Sequence, residues 1–562
     1  MDKPWIKFYE DQVPAEIEFP EIALSQLFEQ TVENTPNGSA VSFFGKKITY
    51  AELGRLVNQF AIALMRLGVK QGDRVAIMLP NIPQYPIAHF AVLKIGAILV
   101  PTNPLYMERE LQYQLNNSGA ETIIALDMHF PKVEKIKPET GLRNVIITSI
   151  QEYLPALLKL LYPLKARKEG NWYKVNRAPG IHFFEDLITE KFVSKIPEVD
   201  VKPDDTAIFL YTGGTTGVSK GAVLTHRNLV ANVIQIRTWY GEVKDREEVV
   251  LCALPFFHSY GLTTCLHMAV LLNSPMVLIP NPRDIKTLLK AIQKEKATLF
   301  SGVPTLFVAI NNFPGISKYD LSSIKACVSG GAPLPLKVAR QFEEISHGAL
   351  VEGYGLSETS PVTHANSING MRKEGSIGTP LPNTDAMVVD PETKKPLPNG
   401  EVGELAIKGP QVMSGYWKMD NETKEVLRDG WLYTGDMSRV DEDGYFYIVD
   451  RKKDMIIAGG FNIFPREIEE VLFEHPKILE AAVIGVPDEY RGETVKAFVV
   501  CKDGASLSAG EVIEFCKSKL AAFKVPKQVE FRDSLPKSNI GKVLRRMLKE
   551  KSINPKVVSS TN

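Results

Sequence analysis

The sequence predicts an α/β protein: a large N-terminal domain of layered α/β subdomains, followed by a small α+β C-terminal domain. Two observations predict it. From Ile48 onward, short apolar runs alternate with longer segments of helical period, as in sheets covered by helices. Beyond about residue 450 the rhythm restarts on a smaller scale, past a charged junction, Asp450-Arg451-Lys452-Lys453-Asp454. We therefore divide the chain into residues 1–450 and 451–562. At 562 residues it exceeds what one hydrophobic core usually covers.

In chain order, Ala51 to Leu67 reads as a helix, and Val75 to Leu79 as a buried strand stopped by Pro80. Residues 150–174 stand apart as an insertion. Tyr153, Leu154, Leu157, Leu158, Leu160, Leu161, Tyr162 and Trp172 mix there with Lys159, Lys165, Arg167, Lys168 and Lys174. Such a segment suits either an anionic membrane surface or a helical excursion docked on its own domain. Ala207 to Leu210 is a strand; Leu229, Val230, Val233 and Ile234 mark a helix. Val249 to Leu254 is a strand, and Ile285, Leu288, Leu289 and Ile292 mark another helix. In the smaller unit, a helix with Ile468, Val471 and Leu472 precedes strands at Ala481–Val486 and Val495–Val500. A helix near Glu511–Leu520 follows.

Composition narrows the function. Lys plus Arg equals Asp plus Glu at 66 each, so no global charge points to nucleic acid, and no nucleic-acid partner is expected. Five scattered cysteines (Cys252, Cys265, Cys327, Cys501, Cys516) lack C-x-x-C spacing and fit reduced thiols in a cytoplasmic protein. The N-terminus lacks the apolar core of a secretory signal, and no run of about twenty apolar residues spans a bilayer. The expected location is the cytoplasm, with peripheral contact at the inner face of the membrane.

The sharpest motif is Tyr211-Thr212-Gly213-Gly214-Thr215-Thr216-Gly217-Val218-Ser219-Lys220-Gly221, placed after a strand. Its glycines expose backbone N–H groups, and its hydroxyls and lysine add donors for phosphate oxygens. It is not a Walker A loop, because Lys220 follows Ser219 and precedes glycine. In Gly353-Tyr354-Gly355-Leu356-Ser357-Glu358-Thr359, Glu358 can hold Mg²⁺, Ser357 can donate to phosphate and Tyr354 offers a face to a purine. Upstream, Gly330-Gly331-Ala332 lets a planar ring approach the backbone. Asp436, in Trp431-Leu432-Tyr433-Thr434-Gly435-Asp436, can accept from ribose hydroxyls, though read separately it is an Asx-turn acid. Lys542 sits in the loop sequence Pro536-Lys537-Ser538-Asn539-Ile540-Gly541-Lys542.

Taken together and in this order, these elements resemble the adenylate-forming superfamily of acyl-CoA synthetases, peptide-synthetase adenylation domains and luciferases, over roughly residues 25 to 550. The strings Gly213 to Gly217, Leu254-Pro255-Phe256-Phe257-His258, Val351 to Leu356, Asp450 to Ile456 and Asn103-Pro104-Leu105-Tyr106 look most like long-chain fatty-acid–CoA ligases. The resemblance implies ATP, Mg²⁺ and coenzyme A as cofactors and co-substrates. It implies a fatty acid as substrate and a mobile C-terminal domain. A homodimer is entertained as an assembly.

Carried over residue by residue, the resemblance assigns the triphosphate to Thr212 through Lys220, including Gly213, Gly214, Thr216 and Gly217. Mg²⁺ falls to Thr215 and Glu358. Adenine lies between Gly330-Gly331-Ala332 and Glu352-Gly353-Tyr354, while Asp436 and Arg451 reach the ribose. Lys542 neutralises charge during attack of the carboxylate on the α-phosphate. Lys453 is the hinge, Gly459 and Gly460 line the pantetheine channel, and His258 swings aside to admit the thiol. Most members carry threonine where this chain has Ser357, and the hydroxyl is kept. Luciferases and coumarate ligases carry lysine where this chain reads Ile456-Ile457-Ala458-Gly459, which argues against those branches. The alternatives are a medium-chain or aromatic acyl-CoA ligase, an enzyme loading a carrier protein, or a non-catalytic binding protein. Thr215, Glu358, Asp436, Arg451 and Lys542 speak against the last.

Overall fold

Three sheets build the large domain and a fourth builds the small one, in a computed structural model that describes residues 3–189, 199–212, 219–451, 454–458, 461–488, 491–538 and 543–553. Largely apolar runs explain the first two sheets. Strands such as Thr122–Leu126 and Leu299–Gly302 are buried at every position, as parallel strands covered on both faces must be. One sheet has nine strands with a parallel centre running through Val250–Cys252, Leu299–Gly302, Ala326–Ser329 and Ala349–Gly355. The other has eight strands, with Arg74–Met78 between Ile98–Pro101 and Thr122–Leu126.

Helices cover these sheets for identifiable reasons. Tyr50–Arg66 starts where the Thr49 hydroxyl accepts from the Glu52 N–H, capping the first turn. Its Leu53, Leu56, Val57, Phe60 and Leu64 recur at intervals of three and four residues and are buried. Each such side chain contributes about 1.5–3 kcal/mol of burial. The predicted helices and strands of both units appear with ends moved by a few residues, and the strand at Val249–Leu254 contracts to Val250–Cys252.

A third, antiparallel sheet carries Trp431–Val440 between Gly403–Lys408 and Phe446–Arg451. The fourth pairs Ile478–Asp488 with Gly492–Cys501 and packs Pro465–Glu474 on one face. It has a core of its own, which includes Ile456, Ile468, Leu472, Val483, Val499 and Cys516. The five cysteines are free thiols, and four of them are buried. Among the described residues, no helix is long and apolar enough to cross a membrane.

Candidate active site

Two of the predicted segments, Gly330-Gly331-Ala332 and Glu352-Gly353-Tyr354, lie at the carboxyl ends of adjacent parallel strands, where open α/β sheets leave a crevice. Ala326–Ser329 runs directly into Gly330, and Ala349–Gly355 ends one residue before Leu356 and the short helix Ser357–Thr359. Gly353 and Tyr354 therefore sit in a strand. Gly330 has a steric reason: a Cβ there would lie 3.0 Å from the Tyr260 ring, whose hydroxyl donates to the Val328 carbonyl at 2.8 Å. Tyr260 follows His258 by two residues. The His258 Nδ1 accepts from the Tyr260 N–H at 3.2 Å, so the half-buried imidazole caps the short turn Ser259–Gly261. Ser259 and Ser357 hydroxyls lie 3.3 Å apart, joining this turn to the Gly-Tyr-Gly segment.

The phosphate-loop sequence connects two antiparallel strands, Thr206–Thr212 and Lys220–Thr225, in which Thr212 pairs with Lys220. Gly213, Gly214, Thr215, Thr216 and Gly217 lie outside the described residues, as do Lys453, Gly459, Gly460 and Lys542. At the mouth of the loop, the Ser219 hydroxyl donates to the Thr212 carbonyl at 2.6 Å. The Lys220 ammonium stands 5.1 Å from the Tyr416 ring centroid. The Tyr416 hydroxyl donates to Glu358 Oε1 at 2.7 Å. Two predicted residues, Lys220 and Glu358, are thus joined through one that sequence reasoning missed. No motif marked Tyr416, because its strand, Gly415–Tyr416, is only two residues long.

Asp436 lies inside the ten-residue strand Trp431–Val440, where the sequence read in isolation suggested an Asx turn. Gly435 takes φ +72°, a left-handed conformation that glycine adopts freely. The buried Asp436 carboxylate accepts from the Tyr354 hydroxyl at 2.6 Å and pairs with Arg451 Nε at 3.1 Å. Burial and the Asp436 charge push the Tyr354 phenol well above its ordinary range, so it stays a donor.

The buried Glu352 side chain accepts from the Leu334 N–H at 3.2 Å and faces Arg466 Nη2 at 3.7 Å, a partner from the small domain. Sequence reasoning missed Arg466 too, since nothing in its helix, Pro465–Glu474, distinguishes it from a surface arginine. Burial pushes Glu352 up to about 7, against the pull of Arg466. In the unfolded chain the group titrates near 4.5. Between these values the folded protein holds a proton that the unfolded chain has lost, so stability falls as pH rises through that window. Glu352→Gln should remove that part of the slope, at most about 3 kcal/mol. Denaturant melts at pH 5 and pH 8 would check it, and parallel slopes in both proteins would contradict it.

Gly355 is required by close approach. A Cβ there would sit 1.9 Å from the Pro361 carbonyl oxygen, which accepts from the Leu356 N–H at 3.0 Å. Gly355→Ala should therefore break the strand end and cost about 3 kcal/mol. An unchanged melting temperature would show that the backbone yields freely.

This layout of strands, loop and acidic residues has counterparts. The profile of the AMP-binding enzymes matches residues 28–417, and that of the AMP-binding enzyme C-terminal domain matches residues 467–542. The chain belongs to the family of AMP-binding enzymes. It is 48% identical over 550 residues to the long-chain-fatty-acid–CoA ligase of Bacillus subtilis strain 168, covering 98% of both chains. It is 40% identical over 555 residues to the protein of the same name from Escherichia coli O6:H1, covering 98% of this chain and 99% of the relative. Among solved structures, an anthranilate CoA ligase in complex with anthranoyl-AMP superposes with a TM-score of 0.84 at 26% identity. That match covers 96% of this chain and 98% of the neighbour. In this AMP-binding enzyme, Tyr354, Asp436 and Arg451 form one connected group, and Glu358, Tyr416 and Lys220 form another.

Proposed function

We propose that this enzyme activates a long-chain fatty acid with ATP as acyl-AMP, releasing pyrophosphate, and then forms acyl-CoA. The observation that carries this reading is a pair of polar groups, one around Glu358 and one around Asp436. Glu358, held by Tyr416 beside Lys220, stands at the mouth of a loop suited to phosphates. Asp436, held by Tyr354 and Arg451, is an acceptor for ribose. Relatives matched over 98–99% of their length bear the name long-chain-fatty-acid–CoA ligase, and a solved neighbour holds an acyl-adenylate.

The first half-reaction needs no general base, because a carboxylate is ionised at neutral pH. Its difficulty is bringing one anion up to another. In our reading, Lys542 neutralises charge as it develops, and the N–H and hydroxyl groups of the 213–217 loop donate to phosphate oxygens. Thr215 and Glu358 would hold Mg²⁺. Their hydroxyl and carboxylate oxygens are the hard donors this ion takes, and when bound it polarises phosphate oxygens. The adenine would lie between Gly330-Gly331-Ala332 and Glu352-Gly353-Tyr354, with Ser357 donating to phosphate. For the second half-reaction, the domain of residues 451–562 turns about Lys453. Gly459 and Gly460 then line the pantetheine path, while His258 moves aside. Cytoplasmic residence with peripheral membrane contact belongs to the same reading, as does a pairing of two copies.

The test is acid-dependent exchange of labelled pyrophosphate into ATP, followed by acyl-CoA formation, over a panel of acids. Each methylene buried in an apolar tunnel should raise kcat/KM about fourfold until the tunnel is full. Long acids should therefore lead. Best turnover on medium-chain or aromatic acids would move the enzyme to that branch. Transfer to a carrier protein in place of CoA would establish the carrier-loading alternative, and no exchange with any acid would refute the adenylation chemistry.

A further inference from the structure

The helix Ala156–Lys168 wears its apolar side outward. Leu157, Leu160, Leu161 and Leu164 recur at helical spacing on one face and are exposed at 68%, 75%, 49% and 67%. Ala166, the one buried residue of this helix, follows Leu157 by nine positions, which is two and a half turns and hence the opposite side. A helix that packs on its own domain turns its leucines inward, so this stripe needs a cover from elsewhere. Lys165 and Arg167 flank the stripe on its two sides and Lys168 ends it; the helix contains no acidic residue.

We propose that the leucine face of this helix forms a docking surface for an anionic phospholipid bilayer. The leucines enter the acyl boundary, and Lys165, Arg167 and Lys168 meet headgroup phosphates. The stripe is far too short to cross, so the helix lies in the plane of the interface. Charge selects the partner. A second copy would bring Lys165, Arg167 and Lys168 against their own equals, whereas an anionic surface complements them. This deepens the peripheral contact proposed above, and vesicle binding needs no ATP or acid, so its failure and that of the ligase reading are separable.

Flotation of the full chain with phosphatidylcholine vesicles, with or without an equal part of phosphatidylglycerol, reads the surface. Wild type should bind the anionic vesicles at least about tenfold more tightly. The combined substitution Leu157→Ser, Leu160→Ser, Leu161→Ser and Leu164→Ser should weaken binding by about 100-fold or more. Lys165→Gln, Arg167→Gln and Lys168→Gln together should lose about 100-fold on anionic vesicles alone. Both variants should keep their far-UV circular dichroism and their turnover of a short soluble acid such as hexanoate. Equal binding by wild type and the leucine variant would overturn the proposal, as would no binding by wild type. A dimer that the leucine variant loses, without vesicle binding, would assign the stripe to a second copy instead.

Discussion

Replacing Lys542 by alanine is expected to slow adenylate formation by about 10²–10³-fold, the usual cost of one preorganised donor at a developing charge. Thioester formation from preformed acyl-adenylate should be unchanged, because in the proposed cycle the lysine has withdrawn by then. The prediction has a structural footing on both sides of the residue. Lys537 and Val543 form an antiparallel bridge, and the Leu544 N–H donates to the Pro536 carbonyl at 2.8 Å, so the base of the loop is pinned. Arg545, three positions on, donates through Nη2 to Glu469 at 2.6 Å and places Nη1 3.6 Å from both Asp450 and Asp454. Those two aspartates flank the proposed hinge, Lys453. A single guanidinium thus ties the loop that carries the lysine to the point about which it would turn. Lys542→Arg keeps the charge but changes its shape and reach, and should recover only part of the rate. Pyrophosphate exchange and a single-turnover thioester assay would separate the two half-reactions. Equal loss in both would mean that the residue supports the fold of the small domain and has no step of its own.

Much of this architecture was legible in the residues, and the illegible part has a common cause. Apolar runs such as Ile123-Ile124-Ala125 and the Leu53–Leu64 stripe announce their elements because burial acts at short range in sequence. Asp436 was harder. Gly435 and Asp436 look like strand breakers, yet the strand runs through them because Gly403–Lys408 and Phe446–Arg451 pair on either side, with local register shifts in both ladders. Propensity lost there to tertiary pairing. Tyr416 and Arg466 were invisible for another reason. Tyr416 reaches Glu358 across 58 residues of chain, and Arg466 reaches Glu352 from a different domain. Neither contact leaves a periodicity. The 150–174 insertion falls between these cases: composition shows that it is apolar and basic, but only the buried Ala166 tells which way the leucines face.

Asp436→Ala should be the most damaging change on the nucleotide side, through two effects that can be separated. The first is structural. Asp436 is the acceptor for the buried Tyr354 hydroxyl and the partner of Arg451, so alanine strands both. Leaving a buried donor unpaired costs about 1–3 kcal/mol, which a melting curve will show in the absence of any ligand. The second concerns binding: losing the proposed charge-assisted hydrogen bonds to the two ribose hydroxyls, at about 1.5–3 kcal/mol, should raise KM for ATP by about 10–100-fold. Asp436→Asn divides the two. Its amide oxygen can still accept from Tyr354 while its charge is gone, so stability should largely return and KM should stay high. A deoxyribose analogue of ATP supplies the converse test, because it removes a donor from the ligand and leaves the protein intact. Against wild type it should raise KM; against Asp436→Ala it should add little, since the acceptor is already missing. Full additivity of the two losses would place the ribose on another acceptor and leave Asp436 as the structural anchor of Tyr354 and Arg451.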